Sequence, residues 1–288
     1  MRRPPGLRLR LLGLFLLALG PCLPLAAADH GFEINALSLY KDYNGSVEKS
    51  SGLEQHLFLS KDFDRFKLGL GYQYATAERY QPRDLRVTKL SLSAGLRLSK
   101  DVDVLATYLE IDDNIAPTDG GKVYSATLGL RGLPQQLATR LGIHYSDYDS
   151  FHVTQFGLNA SKAMRLGGLG INLAAGARYI EIGREGHPAY VAHAEDSYFT
   201  PQAMLTVGRG GYYGRIGVIG KRAFEVTDEG RRVSHHAMEL RRSYVLAVGR
   251  KMKALDLQFQ FTHNLATELP PSNDLNINNF ALGLNYRF

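Results

Sequence analysis

Three groups of residues have types and spacings that could do chemistry. His144-Tyr145-Ser146 sets His144 and Ser146 two residues apart, on one face of an extended chain. A serine and a histidine so placed could serve as nucleophile and base. His235-His236, and His187 with His193, could ligate a metal, but they stand in polar stretches without a cysteine or a clear carboxylate frame. Asp112-Asp113-Asn114 with Asp119 could attract Ca²⁺, yet the group lacks the spacing of a dedicated calcium loop. The plainer reading is the expectation for each: two polar side chains on a wall, solvated loop histidines and an acidic turn. No catalytic residue, cofactor or metal is expected.

The elements that must position these groups are strands. Arg65–Ala75 puts Phe66, Leu68, Leu70, Tyr72 and Tyr74 on one parity and Lys67, Gly69, Gly71 and Gln73 on the other. Val87–Leu98 repeats this with Leu90, Leu92, Ala94, Leu96 and Leu98 on one side. Such period-two alternation gives a strand with one apolar face. Followed along the chain, it predicts about fourteen segments (twelve is the alternative) of roughly 9–13 residues, the length a tilted membrane strand needs.

The segments are Phe32–Lys41, Gly52–Ser60, Arg65–Ala75, Val87–Leu98, Val102–Ile111, Val123–Arg131 and Leu137–Ser146. Phe151–Ala163, Leu169–Ile180, Tyr198–Val207, Tyr212–Ala223, Met238–Val248, Leu255–Asn264 and the terminal stretch follow.

Every other connection is a turn of a few residues, as at Lys61–Asp64 and Gly208–Gly211. Those between are polar and mostly longer, as at Asp112–Gly121, Glu181–Asp196, Glu225–His236 and Leu265–Asn276, with Asp147–Ser150 the short exception. No loop is expected to be long enough to plug a lumen. The hairpin rhythm carries no repeated sequence, which argues against a solenoid. Tyr40, Tyr72, Tyr74, Tyr108, Tyr145, Tyr179, Tyr198, Tyr212 and Tyr244 fall toward strand ends, where interface girdles lie.

The first residues read as a leader. Arg2, Arg3, Arg8 and Arg10 precede the apolar run Leu11–Leu19, and Ala26-Ala27-Ala28 offers small residues for cleavage. Residues 1–28 are expected to be a cleaved signal peptide, and 29–288 a single domain. The apolar run is shorter than the roughly 20 residues of a spanning helix. Pro21 beside Cys22 fits a lipidation box poorly. Without the leader arginines, Lys and Arg fall from 34 to 30 against 28 Asp and Glu, so the formal charge drops from +6 to +2. That removes the support for a nucleic-acid partner.

The last stretch, Asn278–Phe288, alternates most strictly. Phe280, Leu282, Leu284, Tyr286 and Phe288 share one parity; Asn279, Ala281, Gly283, Asn285 and Arg287 share the other. An outer face that meets lipid would leave those aromatics without need of cover. With this ending the chain resembles the Gram-negative outer-membrane β-barrel proteins. The resemblance implies an all-β fold, a single transmembrane antiparallel up-and-down barrel in the cell outer membrane, among lipid and lipopolysaccharide. It also implies that the terminal strand is read by the barrel-assembly machinery.

A barrel of about fourteen strands is wider than an eight-stranded one that side chains fill, and narrower than the 16–18-stranded porins. A watery lumen is therefore expected, and the leading function is a monomeric, porin-like channel for small hydrophilic solutes. Two alternatives come from further resemblances. Ser272-Asn273 before the terminal ALGLNYRF resembles the ending of surface lipoprotein assembly modifiers, although their helical-repeat domain has no counterpart here. That implies a non-conducting assembly or export accessory. His144-x-Ser146 resembles the His-x-Ser of outer-membrane lipid A deacylases, with Asp147 where they carry Asn. That implies a lipid-modifying enzyme.

Lumen charge follows from parity. The inward basic set is Lys67, Lys89, Arg97, Arg131, Arg140, Arg178, Arg215, Lys221, Arg241 and Arg287; the acidic set is Glu33, Glu54, Asp103, Glu239 and Asp256. Strand direction puts Lys67, Arg97, Arg131, Arg140, Arg215 and Arg287 toward the periplasmic mouth, with Asp103 and Asp256 as the acids nearby. Such an excess predicts modest anion preference.

Overall fold

The computed structural model describes residues 31–80, 83–114, 117–133, 137–185, 189–236, 238–269 and 272–288. The leader and Cys22 lie outside them, as does His187.

Alternation becomes wall. The strands are β1 (Phe32–Asn44), β2 (Lys49–Phe63), β3 (Phe66–Arg79), β4 (Leu85–Arg97), β5 (Val102–Asp113), β6 (Lys122–Leu133), β7 (Leu137–Asp147) and β8 (Phe151–Leu166). There follow β9 (Leu169–Arg184), β10 (Ser197–Arg209), β11 (Tyr212–Ile219), the two-residue β12 (Val226–Thr227) and β13 (Arg232–Val233), then β14 (Met238–Lys251), β15 (Leu255–Glu268) and β16 (Asn273–Arg287). Each strand except β12 and β13 pairs with its neighbours, and β16 pairs with β1, closing a barrel of fourteen strands. All pairings are antiparallel, and the closing seam runs from Glu33 opposite Arg287 to Asn44 opposite Asn276. Closure leaves no sheet edge unpaired.

The apolar parity faces outward. Phe66, Leu68, Leu70 and Tyr72 on β3 are 47–58% exposed, and Leu90, Leu92, Leu141, Ile143, Leu246 and Val248 continue the band. Only lipid suits such a belt. Tyr108, Tyr124 and Tyr145 lie in register across β5, β6 and β7. The rings of Tyr108 and Tyr124 are 5.4 Å apart. Tyr198 does not join the girdle: it is buried, and its hydroxyl accepts the Glu195 N–H at 2.9 Å.

Most strands overrun the expected segments at the long-loop end. β1 reaches Asn44, β3 reaches Arg79 and β9 reaches Arg184, while β15 and β16 shrink the expected loop Leu265–Asn276 to 269–272. Backbone pairing continues past the membrane, where outward residues such as Arg86, Glu110, Asp112 and Glu181 are polar, so the apolar outer parity fades before the strand does.

The inward parity at the long-loop end is apolar and packed. Val87, Leu109, Ile111, Val123, Val153 and Ile180 form a buried cluster with Val191, Phe224, Val226 and Val233 from two inward-turned connections. The lumen therefore has a core of its own on the β4–β9 side.

Candidate functional site

The decisive local feature is a short strand. β11 stops at Ile219, after eight residues. Gly220 still donates its N–H to Pro201 O at 2.8 Å. Arg222 still bridges Leu240 on β14, with N–H to O bonds of 2.9 and 2.8 Å; the chain then turns into the lumen and returns at Met238. The connection Glu225–His236 was expected as a solvated polar loop, and no plug was expected at all. The structure corrects both expectations. Loop length alone does not reveal that so many of this loop's residues have partners on the wall.

The contacts follow the loop inward. Gln155 Nε2 donates to Val226 O at 2.8 Å and the Val226 N–H donates to Gln155 Oε1 at 3.0 Å. Lys89 Nζ donates to Val233 O at 2.7 Å, and Gln73 Nε2 donates to Arg231 O. Arg178 pairs with Glu225, Arg140 pairs with Glu229, and the Arg231 guanidinium lies 4.4 Å from the Phe58 ring centroid. Arg222 ties down the base, with Nε on Glu225 Oε2 and Nη2 on Ser243 Oγ, both at 2.8 Å. Phe224 is fully buried, edge-on to Phe151 at 5.1 Å.

The tip is pressed against the wall. Gly230 has φ +90°, and a Cβ there would run into the Ser125 side chain and stand 3.1 Å from Thr107 Cβ. Only glycine suits both the left-handed backbone and the close approach. Because Arg140 is an early residue of β7, which starts at the short-turn end, Glu229 has crossed most of the lumen.

The opposite wall, β14–β15–β16–β1, keeps a bare polar track. On β15, Gln258 donates to Gln260 and Gln260 to Thr262, each at 3.2 Å. Asn264 accepts Ser243 Oγ–H at 2.5 Å and donates to Ile277 O at 3.0 Å. Between loop and track lies a cavity of about 270 Å³.

Its lining includes Lys41, Lys49, Lys89, Arg222 and Arg232 against Glu54 and Glu225. Glu54 is held by Lys41 at 2.7 Å and His56 at 2.6 Å. Among the described residues, Lys49, Lys89 and Arg232 have no carboxylate partner. Parity had supplied Lys89 and Glu54, but Lys41, Lys49, Arg222 and Arg232 were missed. Arg232 stands in an expected loop, which parity does not cover, and Arg222 stands in the expected segment Tyr212–Ala223 on the parity opposite Arg215 and Lys221, which turned it outward.

The six expected mouth cations divide between two larger cavities at the short-turn end. Lys67, Arg97, Arg131, Arg140 and Arg287 line one of about 430 Å³. Arg215 lines another of about 1130 Å³ with Asp256. Acids meet the first five: Lys67 is 3.0 Å and Arg287 3.6 Å from Glu33, Arg97 is 3.5 Å from Asp62, and Arg131 is 2.6 Å from Asp103. Arg215 Nε donates to Thr206 Oγ1 at 3.2 Å, while Asp256 accepts the Tyr213 hydroxyl at 3.0 Å. Glu33, Asp62 and Glu229 are the acids that sequence reasoning did not bring to this mouth, Glu33 having been read as inward without a place at it.

The remaining candidates separate. His144 and Ser146 share the inner wall and are buried, and His144 Nδ1 lies 2.8 Å from Ser125 Oγ on β6. His193 is exposed. His235, expected to be solvated, is buried at 2% exposure, and His236 is half-buried. The inward loop carries them there. Asp113 is also buried, not part of a solvated turn, and Asp119 caps its N–H at 2.9 Å. Phe280, Leu282, Leu284, Tyr286 and Phe288 lie on the parity opposite the lumen-lining Asn279, Asn285 and Arg287, with the Tyr286 and Phe288 rings 4.7 Å apart.

The fold has solved counterparts. The CymD monoaromatic hydrocarbon channel superposes with a TM-score of 0.54 at 8% identity, over 91% of this chain and 89% of its own. The Ralstonia pickettii toluene transporter TbuX gives 0.51 at 8% identity, over 91% and 90%. This chain has the fold of a Gram-negative outer-membrane β-barrel. The lipid-facing belt and closed fourteen-strand wall accordingly place it in the outer membrane, short turns toward the periplasm. No protein-family model matches the sequence, and no curated protein does either.

Proposed function

We propose that this barrel is a narrow channel for small hydrophilic solutes, with a preference for anions, whose constriction is made by the inward loop. The observation that carries the reading is the charge of the cavity of about 270 Å³ between the loop and the polar track. Lys49, Lys89 and Arg232 stand there without carboxylate partners among the described residues. In a low-dielectric wall such charges act strongly on a passing ion, and basic rings suit anion pores. The paired mouth cations contribute less, since each meets an acid. CymD and TbuX are described by their cargo as a hydrocarbon channel and a toluene transporter. The charged groups in this cavity's mixed lining suit a hydrophilic solute instead.

Planar-bilayer recording tests this. The expected result is a small single-channel conductance with an anion-selective reversal potential in a KCl gradient, falling as salt screens the charges over about 10 Å at 0.1 M. A silent wild-type barrel would count for the second reading, a non-conducting assembly or export accessory. The packed β4–β9 side of the outer lumen favours that reading. It would then have to co-purify with a lipoprotein or secreted partner. In either reading, we assign Phe280, Leu282, Leu284, Tyr286 and Phe288 to recognition by the barrel-assembly machinery.

A further inference from the structure

The inward loop brings two histidines onto a wall carboxylate from which they are far removed in sequence. His235 Nε2 stands 3.0 Å and His236 Nε2 3.6 Å from the same Asp113 Oδ2. One ligand atom from each of the three residues lies within 4.8 Å of the other two. Around tetrahedral zinc, with bonds of about 2.0–2.2 Å, ligand atoms stand roughly 3.3–3.6 Å apart. The three groups are therefore near the spacing that a metal would impose.

We propose that Asp113, His235 and His236 form a transition-metal site, of the kind that takes Zn²⁺, and that the metal staples the inward loop to β5. Two imidazoles and one carboxylate are a zinc-type donor set, with a position left open for water. A single carboxylate is too poor in oxygen for Ca²⁺ or Mg²⁺.

A second observation points the same way. His236 Nε2 is buried with no hydrogen-bond partner among the described residues, and it is aimed at Asp113. A buried polar atom left so is costly, and a metal on that nitrogen removes the cost. The carboxylate is held in place: Thr118 Oγ1 donates to Asp113 Oδ2 at 2.8 Å. This is the kind of outer support that orients a ligand. Two cations act on the site: Lys89, whose Nζ donates to Val233 O at 2.7 Å, and Lys49. They work against a dication, so the site is expected to exchange its metal, unlike a permanent structural zinc.

The test uses the full-length, tag-free, folded barrel after treatment with a chelator. Zn²⁺ is titrated by calorimetry, and metal content is read by mass spectrometry. One Zn²⁺ per barrel is expected, with His236→Gln and Asp113→Asn each binding at least about tenfold more weakly. His193→Gln, in the exposed loop, is expected to bind as wild type. Hydrogen exchange gives an independent reading: Zn²⁺ should slow the amides of 228–236 in wild type and not in His236→Gln. Because His236 lies outside the wall, that variant carries the test even if Asp113→Asn fails to fold. No binding by wild type, equal binding by His236→Gln, or loss of binding in His193→Gln would overturn the proposal. None of these outcomes depends on whether the barrel conducts.

Discussion

The lumen has two walls that obey one parity rule and end in different states. On β3–β9, inward donors find the loop: Gln73, Lys89 and Gln155 each bond a loop carbonyl. On β15, inward polar side chains find one another: Gln258 donates to Gln260, and Gln260 to the Thr262 hydroxyl oxygen. Gln155 is buried at 1% exposure and Gln260 is half-buried. Both are glutamines on an inward face, and nothing in their sequence neighbourhoods separates them. The difference teaches that an inward polar residue specifies only that a partner is required. Whether the partner is a neighbouring side chain or a loop is decided from across the barrel.

The largest test of this contrast is to remove the cover. Replacing 222–236 by a short Gly-Ser link should raise single-channel conductance severalfold while the barrel stays folded, because the wall closes without the loop. Unchanged conductance would show that the loop does not constrict the path.

Next in size is the tip. Gly230→Val adds a branched side chain where Ser125 and Thr107 already stand, at a left-handed backbone. It should dislodge the tip and speed hydrogen exchange at 226–233, with a smaller rise in conductance. Phe224→Ala removes a fully buried ring from the cluster with Phe151. Such truncations cost about 3–5 kcal/mol, here taken from loop docking more than from the wall. Protease nicking of the loop, with the barrel intact, would report it.

The charge contrast gives two smaller effects. Converting Lys49, Lys89 and Arg232 to Gln should move the reversal potential toward that of a non-selective pore. Arg97→Gln and Arg287→Gln should move it little. Those two are half or more exposed and already face Asp62 and Glu33. Exposed pairs of that kind contribute about 0–1 kcal/mol, so thermal stability should also change little. A larger effect from Arg97 than from Lys89 would reverse the assignment of the selective region from mid-lumen to mouth.

The sequence by itself determined the wall. Period-two runs such as Phe66 to Tyr74 and Phe280 to Phe288 have no stable home except a strand between lipid and lumen, so the strand count and the facing of such runs were legible, while Val102–Ile111 alternates too weakly to show its facing. Strand ends were less so, because pairing outlasts the apolar outer parity where the outward residues turn polar. The tertiary structure alone decided what fills the lumen. Glu229 meets Arg140, and His235 meets Asp113, across the barrel from strands far removed in sequence. No local period encodes such contacts. They depend on β11 ending early, on Gly230 fitting against Ser125, and on Phe224 finding a pocket that exists only once the barrel has closed.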